Sequence, residues 1–360
     1  PALGGYLTEN FDWRWVFYIN VPIGIMALLG VMAFMPETEK TKRRFDLFGF
    51  VLLSLFIGCM QMGLDRGQNE DWLSSHEIIG YFVLSGLSIY LFVVHILTKE
   101  HAFLDPHMFK DKNFSASLIF IFVIGIILLA TMALLPPYLE SMMDYPAIEI
   151  GLVLAPRGIG TMAAMMLVGR LIGKVDARDL IFFGLALTAW SLWDMSLFTP
   201  SLPQSLIVKT GLIQGFGMGF VFVPLSTLAY STLAPQYRND AAAIFSLVRN
   251  IGSSIGISIM VALLSRNTQI NHAELGAHLL PYGASAKALQ QLSSTVAGTD
   301  ATAGLVYLNG MVTQQAAAIA YLYDFRLMAF VVAASVPLLF MIKGKKKPPK
   351  EEPEMVHAFE

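Results

Sequence analysis

The sequence predicts an all-α polytopic membrane protein with nine full spans. Composition, spacing of apolar runs and placement of basic residues each point there. Of the 360 residues, 55% are apolar and only 14% are charged, against about 25% in an average soluble domain. Mean hydropathy is +0.60. So few charges could not cover a water-exposed surface. The single cysteine, Cys59, excludes a disulfide scaffold or a CxxC metal or redox motif. A net charge of −2 without a basic face argues against a nucleic-acid partner.

A helix needs about 20 mostly apolar residues to cross about 30 Å of hydrocarbon. Five runs qualify by their scarcity of charge: Trp15 to Pro36, Leu47 to Leu64, Ile78 to Thr98, Phe114 to Leu139 and Thr210 to Tyr237. Four more are short or interrupted: Ile150 to Gly169 by Arg157, Leu180 to Phe198 by Asp194, Ala241 to Ser265 by Arg249, and the short final run Leu327 to Ile342. An apolar stub, Pro1 to Leu7, precedes them. Cytoplasmic loops collect Lys and Arg. If the segment after Pro36 is inside and the spans alternate, sixteen of the 24 basic residues fall inside, among them Lys40 to Arg44, Lys99, Lys110, Lys112 and the tail. Six fall outside and two, Arg157 and Arg249, lie within spans. The C-terminus is then cytoplasmic. Ala301 to Tyr323 is uncharged but holds Asn309, Thr313, Gln314 and Gln315. It reads as an amphipathic helix leading into the last span, within a partly ordered external loop over 266–323.

Motifs that carry chemistry are few. Gly211, Gly215 and Gly219 repeat every four residues inside an uncharged run. A dinucleotide fingerprint would need a strand before them, so they read as a helix-packing face. Gly252 with Gly256, and Gly169 with Gly173, repeat the pattern. His101, Asp105 and His107 match no standard metal spacing, and no HExxH or Walker sequence occurs; the reading is not an enzyme, with no metal and no bound cofactor. Ionisable residues inside spans cost about 3 kcal/mol or more unless paired or hydrated, so Arg157, Asp194 and Arg249, with the amide of Gln214, are the intramembrane polar candidates. Asp194 with Lys209 reads either as an interfacial pair or as part of a polar path. The two arginines read either as locks between helices or as lining of that path. Pro136 and Pro137, Pro156 and Pro224 are expected to end or kink their helices, as happens where a transported ligand lies at mid-membrane.

Several stretches resemble the 14-span drug:proton antiporter branch of the major facilitator superfamily. Pro1-Ala-Leu-Gly4-Gly5-Tyr6 is similar to the end of its antiporter motif. Trp13 to Gly24, Leu64 to Trp72, Leu154 to Gly158, Gly169 to Arg178 and Ser246 to Gly256 match further family stretches. The resemblance covers nearly the whole chain. It implies that residues 1–36 end an N-terminal six-helix half and that 37–98 hold a linker and two extra central spans. A cytoplasmic linker follows at 99–113, a C-terminal six-helix half at 114–343 and a cytoplasmic tail at 344–360. The chain is then expected to be a piece lacking the first four to five spans, which in the family carry the coupling acid. Gly169, Arg170, Gly173, Asp176 and Arg178 become cytoplasmic gating candidates. The implied function is proton-coupled efflux of amphipathic drugs by alternating access, driven by a proton gradient, from the bacterial inner membrane. The partners implied are the lipid bilayer, an amphipathic small-molecule substrate, a periplasmic adaptor and an outer-membrane channel. Export of a specific metabolite, such as a siderophore or fatty acid, is the alternative; a non-transporting assembly subunit is a third reading.

Overall fold

The computed structural model describes residues 2–34, 46–99, 104–199, 201–278 and 301–341. Most of the first predicted cytoplasmic linker, residues 100–103 of the second, and the tail lie outside these residues. Among the described residues eleven α-helices follow in order: α1 (Ala2–Asn10), α2 (Trp15–Tyr18), α3 (Asn20–Phe34), α4 (Leu47–Gly67), α5 (His76–Thr98), α6 (Lys112–Met143), α7 (Ala147–Leu171), α8 (Ala177–Met195), α9 (Gln204–Ser231), α10 (Arg238–His278) and α11 (Ala301–Ser335). Among the described residues no strand forms beyond one isolated bridge, Ile172 with Val175.

Eight segments of the described chain are long and apolar enough to cross a bilayer, one fewer than the sequence predicts. The missing one is α8. Its 19 residues include Arg178, Asp179 and Asp194, which dilute its apolarity, yet it packs along α9 and α11 like its neighbours. The last span also differs. It is a single continuous helix through Ala301–Ser335 rather than an amphipathic lead and a separate span. Likewise α10 runs on past Arg266 to His278. Within the segment expected as a partly ordered external loop, 266–278 is therefore helical, while 301–323 is the helix the sequence predicts, continuous with the last span. There Asn271 donates to the Ala316 carbonyl at 3.4 Å, and His272 meets Asn309 at 3.0 Å. At 1.5 Å per residue the 41 residues of α10 span about 60 Å, twice the hydrocarbon thickness.

Helix starts are set by local chemistry. Asp111 and Asp176 accept from the backbone N–H groups of Phe114 (2.9 Å) and Arg178 (3.0 Å), capping α6 and α8. Asp46 caps α4 through Gly49 N–H at 3.2 Å, and it also binds His95 and Lys99, each at 2.9 Å, at the far end of α5. Arg66 meets Glu77 at 2.7 Å at the opposite end. The antiparallel α4–α5 pair is thus tied at both ends. It docks on α10, where Ser254 donates to Gln61 and Ser258 donates to the Leu64 carbonyl.

Helices α6 to α11 form one bundle whose core includes Phe114, Phe120, Tyr138, Phe198 and Phe325. In lipid there is little hydrophobic force between helices, so close backbone approach holds them. Glycines supply it. A Cβ on Gly125 would collide with the Arg249 carbonyl, and one on Gly252 with the Phe122 carbonyl, at the α6–α10 contact. Gly256 lies there too. At the α7–α9 contact, Gly160 faces the Leu212 carbonyl, Gly215 the Arg157 carbonyl and Gly219 the Ala164 side chain, while Gly211 stands slightly apart, with Arg157 Cβ 3.9 Å away. Gly169 and Gly173 do not share this use. No atom approaches either within 4 Å, and Gly173 takes φ +90° in the turn before α8, a conformation that suits glycine. The prolines end nothing: α6 continues through Pro136 and Pro137 to Met143, and α7 and α9 run on through Pro156 and Pro224.

These contacts predict that Gly160→Leu abolishes recovery of monodisperse folded protein in detergent, because the leucine would have to enter a backbone carbonyl. Gly158→Leu, on the same helix with open space around it, is expected to behave like wild type in size-exclusion chromatography. Equal yields for the two would contradict the packing account.

Candidate functional site

A polar layer lies inside the bundle at the depth where α6 passes Leu128 and Thr131, one helical turn apart. From α7, Arg157 is 6% exposed, and its Nη2 donates to the Leu128 carbonyl at a long 3.5 Å. From α9, Gln214 is fully buried and its Nε2 donates to Thr131 Oγ1 at 3.4 Å. Thr131 itself donates to Ile127 O at 2.7 Å and touches Met328 Sδ of α11 at 3.7 Å. Gln214 Oε1 has no partner among the described residues. No ion pair to Arg157 forms among the described residues.

One residue of this interior escaped the sequence reading. Asp324 on α11 is 1% exposed, and neither carboxylate oxygen has a hydrogen-bond partner among the described residues. It stands one turn before Met328. In the sequence it falls in the gap between the uncharged run ending at Tyr323 and the span starting at Leu327, so it belonged to neither. The signal was present: Asp324 is the only acid between Ala301 and Ile342.

The other candidates are dispersed. Arg249 is half-buried on α10, with its guanidinium 5.7 Å from the ring centre of Phe222, clear of Arg157. Asp194 is half-buried near the end of α8 and Lys209 is exposed at the start of α9; the ion pair considered for them is not formed. Of the antiporter-motif residues, Pro1 lies outside the described residues and Gly4 has open space. A Cβ on Gly5 would come within 2.6 Å of the Ala147 carbonyl, at the start of α7. Glu9 accepts there from Ile148 N–H at 3.2 Å, placing a carboxylate on the positive end of the α7 dipole. Of the gating candidates, Arg170 is exposed, Asp176 is committed to the α8 cap, and Arg178 supplies the backbone N–H of that cap. No ion pair joins these three among the described residues.

No group of three or more metal-ligating side chains is brought together among the described residues. Asp105 accepts from His107 twice, from backbone N–H at 2.9 Å and Nδ1 at 2.8 Å. The backbone bond, more than the ring, holds its carboxyl below the usual range. His101 lies outside the described residues.

A buried cation with one long hydrogen bond and no counter-ion adds nothing to stability. We therefore expect Arg157→Met, of similar length, to be neutral or stabilising by about 1 kcal/mol or more, read as an unchanged or raised unfolding temperature in detergent. A clear fall would show that Arg157 is a structural lock.

Comparison with known proteins places this architecture. The model of the Major Facilitator Superfamily matches residues 1–257. Over 292 residues, 80% of this chain, the sequence is 33% identical to the multidrug export protein EmrB of Escherichia coli K12, covering 57% of that relative. It is 31% identical over 346 residues to the probable multidrug resistance protein EmrY of the same strain, covering 95% of this chain and 67% of the relative. It is 28% identical over 346 residues to the fatty acid resistance protein FarB of Neisseria gonorrhoeae, covering 95% and 68%. The chain thus spans little more than half the length of EmrB. A family match over more than two thirds of the chain, with glycine-packed apolar helices around a polar layer, makes it a member of the major facilitator superfamily.

Proposed function

We propose that this chain forms part of a secondary active exporter that moves amphipathic compounds out of the cell by alternating access, driven by a proton gradient. The carrying observation is the polar layer of Arg157, Thr131 and Gln214, sunk in an apolar and Met-rich bundle. Lipid-facing helices have no use for groups so costly to bury. An amphipathic substrate does, since it brings apolar surface for the apolar bundle and a polar end for the layer. The names of EmrB and EmrY support the drug-export reading.

In this proposal the basic end of the bundle, which holds Lys99, Lys110 and the 172–176 turn, faces the cytoplasm. The α1–α7 contact and the extended α10–α11 pair then stand on the outer side of the inner membrane. A periplasmic adaptor leading to an outer-membrane channel would meet the protein there. The contact of Gly5 and Glu9 with α7 closes the outer edge between α1 and the C-terminal bundle, while the turn around Gly173 serves the inner gate.

One observation favours a second substrate class. Arg157 cannot give up its charge in a protein, and it lacks a counter-ion here. An amphipathic acid, such as a fatty acid, would supply one, and FarB is named for fatty acid resistance.

Everted vesicles from cells producing the protein test both readings. Proton-driven accumulation of an amphipathic cationic dye, abolished by a protonophore, is the expected result. Arg157→Met is expected to spare dye transport but remove at least about ten-fold of any fatty-acid transport, since a lost charge-assisted contact is worth about 1.5–3 kcal/mol. Vesicles indistinguishable from those lacking the protein for every substrate would overturn the export reading.

A further inference from the structure

We propose that Asp324 is a proton-exchange site inside the C-terminal bundle, with the Tyr138 hydroxyl as its positioning partner. The proposal rests on the proton-coupled export reading for its physiological use, but its evidence is separate. Asp324 is 1% exposed, and both its oxygens are without hydrogen-bond partners among the described residues. Tyr138 is fully buried, and its hydroxyl is equally without a partner. Two orphaned polar groups are an unusual load for one core, because buried polar groups are nearly always paired.

The packing seats the Tyr138 ring on the turn of α11 that carries Asp324. The Tyr138 ring lies 5.4 Å from that of Tyr321 and 6.2 Å from that of Phe325, centre to centre. Tyr321 and Phe325 flank Asp324 on α11, so Tyr138 is seated against the turn that carries the acid. One turn further along α11, Met328 touches Thr131, which receives the Gln214 amide. Asp324 thereby adjoins the polar layer of the candidate site, on the same helices that hold it.

No charge nearby neutralises an Asp324 carboxylate. Helix α11 packs against α6, α8 and α10. The titratable or charged groups at this level are Tyr138 from α6, Asp194 from α8 and the exposed Arg266 from α10, with Tyr321, Tyr323 and Arg326 on α11 itself. Arg326 is committed elsewhere, its guanidinium 5.3 Å from the ring centre of Trp193. No ion pair to Asp324 occurs among the described residues. An isolated buried carboxylate neutralises by taking a proton. In the conformation described, Asp324 is therefore the neutral acid. A rearrangement that admits water between α6 and α11 lets it release that proton to the water and reload from the other side. In the same rearrangement the Tyr138 hydroxyl turns to donate to the carboxylate while it is charged.

Infrared difference spectroscopy of the purified protein in lipid, stepped through pH, reads this directly. The expected result is a carbonyl-stretch band of a protonated carboxylic acid that disappears as pH rises and is absent in Asp324→Asn. Tyr138→Phe, which leaves the acid in place, is expected to shift the frequency or pH midpoint of the band. A wild-type protein without the band, or an Asp324→Asn variant that retains it, overturns the proton site. An unshifted band in Tyr138→Phe overturns the pairing. Transport separates this inference from the export reading: in vesicles Asp324→Asn is expected to lose at least ten-fold of its stimulation by a pH gradient while still binding dye. If wild type itself exports nothing, the export reading fails, and the infrared result still decides the proton site.

Discussion

Close approach of helix backbones through glycine is the constraint on which the rest of this structure depends. Surrounded by lipid, helices gain little from hiding apolar side chains from one another, so dispersion at short range must hold them. Here α6 meets α10 through Gly125, Gly252 and Gly256, and α7 meets α9 through Gly160, Gly215 and Gly219. The contacts are mutual: the Gly125 position faces the Arg249 carbonyl, and Ser253 Oγ bonds the Gly125 carbonyl at 3.1 Å. Such smooth faces fix distance without locking rotation.

The same closeness brings the polar groups into one layer. Gly215 lets α9 come so near α7 that its backbone faces that of Arg157, one residue from Gln214. Thr161 donates across the seam to the Gly215 carbonyl at 3.0 Å. Arg157, Gln214 and Met328 of α11, one turn from Asp324, then converge on α6 at Leu128 and Thr131. Packing glycines and functional polar groups are alternating uses of the same helix faces. The extra pair α4–α5 stands outside this arrangement. Its ends are tied by Asp46 and Arg66, and it rests on α10, so it follows that helix without sharing the polar layer.

Much of this was legible in the sequence, because span length and four-residue glycine spacing are local signals. The α7–α9 glycine face lies where that spacing put it, and Arg157 and Gln214, picked out as polar residues inside apolar runs, are buried. What escaped was what depends on context. Asp324 was overlooked because a boundary drawn by apolarity fell on either side of it, whereas one continuous helix buries it. Glycines 169 and 173 share the spacing of the packing glycines, yet no helix faces them, since spacing does not say which side a neighbour occupies. Pro136, Pro137, Pro156 and Pro224 do not end their helices, which run on through them. The loop over 266–323 was judged by its Ala, Gln and Ser content, which suits an exposed helix as well as a coil.

The central claim is that the polar layer is sealed in the resting bundle and opens to water during transport. Cysteine placed at Gln214, in a background where Cys59 is serine, tests it through labelling by a membrane-impermeant maleimide. The account predicts protection at rest and labelling once a substrate and a proton gradient are both supplied. Constant labelling, or none under either condition, would contradict it.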